Sequence, residues 1–221
     1  LPIYQSLWAT RMKTAHMLPI APLLDQAGFK SIELMGTVHF DACLRYLRED
    51  PWERIRLLHK AMPNTPLSAL IRSKSLTSFN IVPDSIIELW VQRCAANGIR
   101  RLMIFDALHD WNNLSKSVAT AKAAGIEVAV PLVYSLSPVH TDEFYRQKTV
   151  EMIELLDPDI VMIKDSIGLL TPERIKTLVP TIKNEIGDRS LEMHSHCTTG
   201  LATLCCLDSV KFGVDTIYTC A

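Results

Sequence analysis

Two histidines spaced two residues apart, His194 and His196, follow the short strand-like run Leu191–Met193. In a β-strand, side chains alternate between the two faces, so both imidazoles would project from the same side. Neutral imidazole is a favoured ligand of zinc, cobalt and nickel, and a same-side pair at a strand end is typical of a metal site. The spacing alone is a weak signal. The rest of the chain has to supply further ligands and a place for a substrate.

A lysine in a comparable position is the next candidate. Lys164 follows the apolar run Val161–Ile163 and precedes Asp165. A lysine at the end of an interior strand either pairs with a carboxylate or has a chemical role. The chemical options are a Schiff base with a carbonyl substrate and a carbamate that binds a metal. The histidine pair favours the metal.

An arginine and two aspartates complete the candidate set. Arg72 ends the apolar run Ala69–Ile71, where a guanidinium suits either a bidentate contact to a small carboxylate or a rim salt bridge. Asp41 and Asp106 are either helix caps or residues that orient Arg72 or the substrate. Three further histidines are interpreted as surface or supporting residues: His39, His109 and His140.

Composition excludes several classes of function. The 221 residues are 48% hydrophobic and 21% charged, with a net charge of −1. This balance is typical of a globular protein and argues against binding to nucleic acid or an acidic membrane. No apolar run reaches the roughly 18 residues of a membrane helix, and the six cysteines contain no CxxC pair. We therefore expect a cytoplasmic protein with free thiols and no nucleic-acid partner.

Helix and strand patterns alternate with a period of about 30 residues. The predicted helices cover 10–27, 50–60, 84–97, 113–124, 141–156, a segment from 171, and 200–212. The predicted strands cover 31–35, 67–71, 101–105, 126–134, 160–163, 191–193 and 216–218. Such alternation predicts parallel strands, and no G-x-G-x-x-G motif supports a dinucleotide-binding sheet. The chain starts on a helix and ends on a strand, so we predict one domain, residues 1–221: an α/β (β/α)8 barrel lacking its first strand and last helix.

A barrel places its functional residues at the carboxyl ends of its strands. Polar or ionisable residues occur at most of these points. The predicted strand ends are Met35–Gly36, Arg72, Asp106, 135–137, Lys164–Asp165 and 194–196. The candidate residues therefore converge on one end of the predicted barrel.

Several sequence blocks resemble the biotin-dependent carboxyltransferase family, within the HMG-CoA lyase-like barrel superfamily. This family includes the oxaloacetate decarboxylase alpha subunit, the carboxyltransferase domain of pyruvate carboxylase and the transcarboxylase 5S subunit. The matching blocks are QSLWATRM (5–12), FDACLRYL (40–47), EDPWER (49–54), PNTPL (63–67), IFDAL (104–108), SPVHT (137–141), IKD (163–165), GLLTP (168–172), HSH (194–196) and TGLA (199–202). The resemblance covers essentially the whole chain.

The resemblance implies a divalent metal (Zn, Mn or Co) held by Lys164 as a carbamate with His194 and His196. It implies a 2-oxo acid substrate, oxaloacetate or pyruvate, and biotin on a carrier domain or subunit. We also expect a homo-oligomer. The residues matched to the oxo-acid and biotin sites are Arg72, which holds the oxo-acid, Gln5, beside the substrate, and Asp41, near the biotin pocket.

The chain also departs from the family pattern. Counting back from Gln5, the fourth metal ligand of the family, an aspartate, corresponds to Pro2. The family's RGxN reads RSKS from Arg72, Phe79 stands where tyrosine is usual, and Met103 replaces an arginine. The family's proton-shuttling threonine falls beyond Ala221. Two alternatives therefore stay open: a biotin-independent metal-dependent lyase or aldolase, and a non-catalytic subunit or scaffold.

Overall fold

Helices and strands alternate in the computed structural model, which describes residues 7–76 and 80–220. The strands are β1 (Ile32–Gly36), β2 (Leu67–Arg72), β3 (Ile99–Phe105), β4 (Glu127–Val133), β5 (Ile160–Asp165), β6 (Ser190–Ser195) and β7 (Thr216–Ile217). The α-helices are α1 (Thr14–Met17), α2 (Ala21–Gln26), α3 (Thr37–Ala42), α4 (Pro51–Ala61), α5 (Asp84–Asn97), α6 (Asn112–Ala123), α7 (Asp142–Leu156), α8 (Pro172–Lys183) and α9 (Ala202–Lys211). The predicted order of strands is confirmed.

The chain divides into two compact units. One contains the described residues up to Ile104 together with Lys116–Val128 and Cys220, and the other contains Phe105–Ser115 and Ala129–Thr219. The assignment of residues 1–221 to a single domain stays a prediction.

In the unit that contains Ala129–Thr219, the strand order is β4-β5-β6-β7, and the pairings are parallel. All residues of β5 are buried, as are the inner four of β6. Helix α8 packs against both α7 and α9. Parallel strands are connected by crossover helices, which cover the faces of the sheet. The apolar runs of β5 and β6 predict strands buried in this way.

In the other unit, β1 and β2 are parallel, with a shift in register between Glu33 and Met35. Helix α4 begins as predicted, because the Asp50 carboxylate accepts a hydrogen bond from the Trp52 amide at 2.8 Å and Pro51 occupies the first helical position. Local sequence therefore determines where this helix begins.

The prediction of one helix over residues 10–27 is wrong. The segment forms two short helices, α1 and α2, with Pro19 between them and Pro22 in the first turn of α2. A proline inside a helix removes a backbone donor and clashes with the preceding turn, so the helix stops before Pro19. The helical spacing of the apolar residues continues through Pro19, so this spacing alone does not indicate the interruption.

A helical segment that the sequence analysis did not predict follows β1. Helix α3 continues directly into a π-helical turn, Cys43–Leu47, which ends at Arg48 in a left-handed conformation (φ 53°). At its start, the Gly36 amide donates to Nδ1 of His39 at 2.7 Å. This hydrogen bond between residues three positions apart closes the first turn of the helix.

His109 is buried, so of the two interpretations of this residue, surface or supporting, the surface one is wrong. Its Nε2 accepts a hydrogen bond from the Val133 amide at 2.9 Å, and its ring packs against Trp111, Phe144 and Tyr145. Burial lowers the pKa of His109 from 6.5 to about 4, and the nearby charges of His140 and Lys148 act in the same direction. The folded protein therefore holds this histidine neutral.

Within the part of the chain that the structure describes, no helix combines the length and apolar character needed to cross a bilayer.

Protonation of His109 makes the stability of the protein sensitive to acid. The unfolded chain takes up a proton at this histidine below about pH 6.5, whereas the folded protein takes it up only near pH 4. The free energy of unfolding should therefore fall as the pH drops through this window, by up to roughly 3 kcal/mol from His109. Urea denaturation at several pH values measures this slope.

In His109→Gln, whose amide oxygen can still accept the Val133 hydrogen bond, the slope between pH 6.5 and 4 should be shallower. The matched control is His16→Gln, because His16 is exposed. An unchanged slope in His109→Gln would contradict the assignment of acid sensitivity to this buried imidazole.

Candidate active site

Lys164 and His194 are paired residues on neighbouring parallel strands. In the β5–β6 register, Lys164 lies opposite His194, and the adjacent pairs are Ile163 with Met193 and Asp165 with Ser195. Directly opposed residues on parallel strands project from the same face of the sheet. The lysine and the histidine thus come from one face at the carboxyl ends of their strands, as the sequence predicts.

His194 is a buried histidine with ring nitrogens that are unsatisfied in the part of the chain that the structure describes. Its side chain is buried, and among the described residues neither Nδ1 nor Nε2 has a hydrogen-bond partner. The ring lies 5.1 Å from the ring of His196 and 5.4 Å, edge to face, from that of Tyr218. Buried polar atoms are normally bonded, so two orphaned nitrogens on one imidazole indicate a position reserved for a ligand.

The electrostatic surroundings keep His194 neutral. Burial shifts the pKa of His194 far below its usual value, and the neighbouring charges of Lys164 and His196 act in the same direction. Metal ions bind the neutral form of imidazole, so the protein holds this side chain in the state that a ligand needs. His196 directly follows the end of β6 and is partly exposed, and its ring lies beside that of His194.

The Lys164 side chain is buried as well, and its Nζ lies 5.6 Å from the centroid of the Phe105 ring. Its carbonyl oxygen accepts a hydrogen bond from the Tyr134 amide at 2.8 Å, which extends the β4–β5 ladder to this point. The lysine is therefore held by its backbone at the strand end, on the face that carries His194.

Asp165 is adjacent but is not available as a ligand. Its Oδ1 accepts hydrogen bonds from the Gly168 and Leu169 amides, and its Oδ2 accepts from the Leu170 amide and the Ser195 hydroxyl. These four bonds engage both lone-pair directions of each oxygen. Asp165 therefore does not supply the missing carboxylate.

The residues present fit part of a metal site. Lys164 lies opposite His194, the His196 ring is beside that of His194, and the unprotonated nitrogen of neutral His194 can donate its lone pair to a metal. Among the described residues, no group of three or more His, Cys, Asp or Glu side chains is arranged to hold a metal. A ligand set with two histidines and a modified lysine is consistent with that finding, because it contains fewer than three such residues. Pro2, the position of the predicted fourth ligand, lies outside the described residues.

Arg72 and Asp41 lie in the other unit. Arg72 ends β2, where its carbonyl accepts a hydrogen bond from the Ser75 amide and Ser73 adopts a left-handed conformation (φ 47°). Asp41, in α3, accepts a hydrogen bond from Arg45 at 2.7 Å and is partly exposed. Gln5 and Phe79 lie outside the described residues, so the structure groups the three metal candidates and leaves the other assignments as predictions.

His39 does not lie on the surface, which was one of the two interpretations that the sequence left open for it. His39 is fully buried where β1 passes into α3, and burial lowers its pKa to about 4. Its hydrogen bond from Gly36 holds the turn that precedes Asp41. A glycine three residues before a histidine at a strand end was the available signal for this capping contact.

The family model described as HMGL-like matches residues 105–221. A pyruvate carboxylase subunit of Methanocaldococcus jannaschii is 45% identical over 213 residues, which is 96% of this chain and 37% of that protein. The methylmalonyl-CoA carboxyltransferase 5S subunit of Propionibacterium freudenreichii subsp. shermanii is 34% identical over 98% of this chain and 43% of its own length. The chain thus spans about two-fifths of these relatives, and they confirm the resemblance seen in the sequence blocks.

Solved structures give the same result. The carboxyl transferase domain of Rhizobium etli pyruvate carboxylase, with pyruvate and biocytin, matches with a TM-score of 0.91 at 30% identity, over 97% of this chain and 37% of that chain. The same domain with 3-bromopyruvate matches with a TM-score of 0.90 at 29% identity, over 95% of this chain and 36% of that chain. These matches confirm the predicted fold class, an α/β chain with the strands and helices of a partial (β/α)8 barrel.

Loss of the Lys164 side chain should release metal. Metal analysis of purified Lys164→Ala should show at least tenfold less Zn, Mn or Co than the wild-type protein, because two histidines alone hold a metal weakly. Lys176→Ala, which removes an exposed lysine of α8, is the control and should keep its metal. Stoichiometric metal in Lys164→Ala would remove the lysine from the ligand set.

Proposed function

The chain belongs to the HMGL-like family, and we propose that it forms the metal-binding and oxo-acid-binding part of a biotin-dependent carboxyltransferase. The reaction is carboxyl transfer between biotin and a small 2-oxo acid, pyruvate or oxaloacetate. The observation that carries this proposal is the in-register pair of Lys164 and His194, in which both imidazole nitrogens lack a hydrogen-bond partner within residues 7–76 and 80–220. The names of the curated relatives support the same reaction class.

The overall reaction moves a carboxyl group from a nitrogen atom of biotin to a carbon atom of the oxo-acid. The N–CO2 bond of carboxybiotin breaks, a C–CO2 bond forms at the carbon next to the keto group of pyruvate, and the proton lost from that carbon goes to the biotin nitrogen. The difficult step is loss of this proton, because the product carbanion needs its charge spread onto the keto oxygen as an enolate. Decarboxylation of oxaloacetate passes through the same enolate.

The residues of this chain divide into two roles. Lys164, His194 and His196 would hold the metal, and a divalent ion bound there supplies a Lewis acid for the keto oxygen. Arg72 would bind the substrate carboxylate through two parallel N–H···O bonds, which fix the plane of the oxo-acid. Asp41 would lie beside the biotin, and Gln5 beside the substrate, as the family resemblance implies.

Exposed apolar side chains on three successive loops support a protein partner. Leu108 follows β3, Leu136 and Val139 follow β4, and Ile167 follows β5, and each is more than half exposed. The loops are held by polar contacts: the Asp106 carboxylate accepts from the Leu108 amide at 2.8 Å. Exposed apolar residues grouped at one end of a fold mark interaction sites. A biotin carrier domain that delivers carboxybiotin to Lys164 and His194 must approach this same end.

The function is tested by oxaloacetate decarboxylation with the full-length protein, measured with and without its biotin carrier. The proposal predicts bound metal and turnover that depends on biotin. Turnover at an equal rate without biotin would favour the metal-dependent lyase or aldolase instead. A protein that contains no metal and shows no turnover would favour a non-catalytic subunit.

Arg72→Lys should raise KM for the oxo-acid at least tenfold, because an ammonium cannot form the bidentate contact. The carrier concentration that gives half-maximal rate should not change. Arg93→Lys, at an exposed position of α5, is the control and should behave as the wild type. A lowered kcat with an unchanged KM for the oxo-acid would contradict substrate binding by Arg72.

Val139→Asp should weaken the interaction with the carrier. We expect KM for the carrier domain to rise several-fold, while the rate with free biotin stays the same, since free biotin needs no docking surface. Leu207→Asp, at a similarly exposed apolar position on α9, is the matched control. Equal effects of the two substitutions would show that the loops have no special part in docking.

A further inference from the structure

The loop between β5 and α8 is bonded to the chain segment that follows β6. The Asp165 carboxylate accepts hydrogen bonds from the amides of Gly168, Leu169 and Leu170 at 2.8, 2.9 and 3.0 Å. From the other side, the Thr198 hydroxyl donates to the Ile167 carbonyl. Five residues make up this arrangement, which we call the loop clasp: Asp165, Gly168, Ser195, Thr198 and Thr199.

The clasp joins the two strands that carry the metal candidates. The Ser195 hydroxyl donates to Oδ2 of Asp165 at 3.0 Å, and the His196 amide donates to the Asp165 carbonyl at 2.9 Å. Asp165 and Ser195 are register partners, one position beyond Lys164 and His194. Because side chains alternate along a strand, Asp165 and Ser195 project from the face opposite Lys164 and His194. They can therefore hold those residues without touching a metal.

Gly168 brings the two segments into close contact. Its φ is +78°, and a Cβ at this position would lie 2.2 Å from the His196 carbonyl oxygen and 2.5 Å from the Thr198 hydroxyl. The Thr199 hydroxyl also donates to the Gly168 carbonyl at 2.6 Å. Only glycine has both the left-handed conformation and the space, so the backbone of His196 rests directly on this loop.

The far end of the loop is fixed as well. The Cys205 thiol, buried in α9, donates to the Leu170 carbonyl at 3.3 Å. The loop is thus bonded at its start by Asp165, in its middle by Thr198 and Thr199, and at its end by Cys205. Contacts of this number leave the loop little freedom to move relative to β6.

We propose that Asp165 and Ser195 are positioning residues, and that the clasp sets metal affinity by fixing Lys164 on β5 relative to His194 and His196 on β6. Metal ligands have to be held within a few tenths of an ångström, and groups behind the ligands change affinity by roughly 10- to 100-fold when they are removed. This inference rests on the proposed function, because it concerns the same metal site.

The test is a cobalt titration of metal-free protein, followed by the dissociation constant and by the visible absorption of bound Co²⁺. Asp165→Asn keeps the size of the side chain but replaces one acceptor oxygen with an NH2 group, so at least one backbone amide of the loop loses its acceptor: Leu170 if Oδ2 is replaced, Gly168 and Leu169 if Oδ1 is replaced. We expect the Kd for Co²⁺ to rise at least tenfold and the absorption spectrum to change. Ser195→Ala should shift Kd in the same direction by a smaller factor, and Ser195→Thr, which keeps the hydroxyl, should restore it.

Asp215→Asn is the matched control. The Asp215 carboxylate also accepts a backbone amide of β6, that of Leu191 at 2.8 Å, but at the opposite end of the strand from His194. Its loss should lower the melting temperature and leave the Kd for Co²⁺ unchanged. An equal loss of affinity in Asp165→Asn and Asp215→Asn would show that general destabilisation explains the effect, and would overturn the positioning role.

The outcomes separate the two proposals. If the wild-type protein binds Co²⁺ and Asp165→Asn binds it equally well, with the same spectrum, the positioning role is wrong and the proposed function stands. If the wild-type protein binds no Co²⁺, the proposed function is wrong and the positioning role fails with it. Weaker binding in Asp165→Asn, with restoration by Ser195→Thr of the affinity lost in Ser195→Ala, supports both.

Discussion

The parallel register of β5 and β6 governs the candidate site, because it places Lys164 directly opposite His194. A slip of one residue would turn every side chain of one strand to the other face, so the lysine and the imidazole would no longer share a side. Contacts at both ends of β6 oppose such a slip: Asp215 binds the Leu191 amide, and the Asp165 carbonyl accepts from the His196 amide.

The two faces of the β5–β6 pair differ in how fully their buried polar groups are hydrogen-bonded. On one face, Asp165 is fully buried and all of its acceptor positions are engaged. On the other, His194 is buried and its two ring nitrogens have no hydrogen-bond partner in the described part of the chain, which costs about 1–3 kcal/mol per unsatisfied group. The bonded carboxylate stabilises the geometry, whereas the unsatisfied imidazole on the other face is destabilising.

Local signals made the helix and strand order predictable. Asp50 and Thr171 cap their helices as their sequence contexts indicate, and Gly98 ends α5 in a left-handed conformation. These features depend on residues within one turn of each other, so no tertiary contact is needed to recognise them. The exception is the region of α1 and α2, where Pro19 interrupts an apolar spacing that otherwise fits a single helix.

Residue order alone was enough to predict the alternation of strands and helices, the resemblance to carboxyltransferases, and the residue types of the candidate site. The folded chain was needed to show that Lys164 faces His194, that Asp165 is bonded to a loop and unavailable as a ligand, and that His39 and His109 are buried. The two sets of features differ in how far apart along the chain the interacting residues are. Capping and periodicity act between neighbours in the chain, whereas strand register, burial and the pairing of polar groups depend on residues about 30 positions apart.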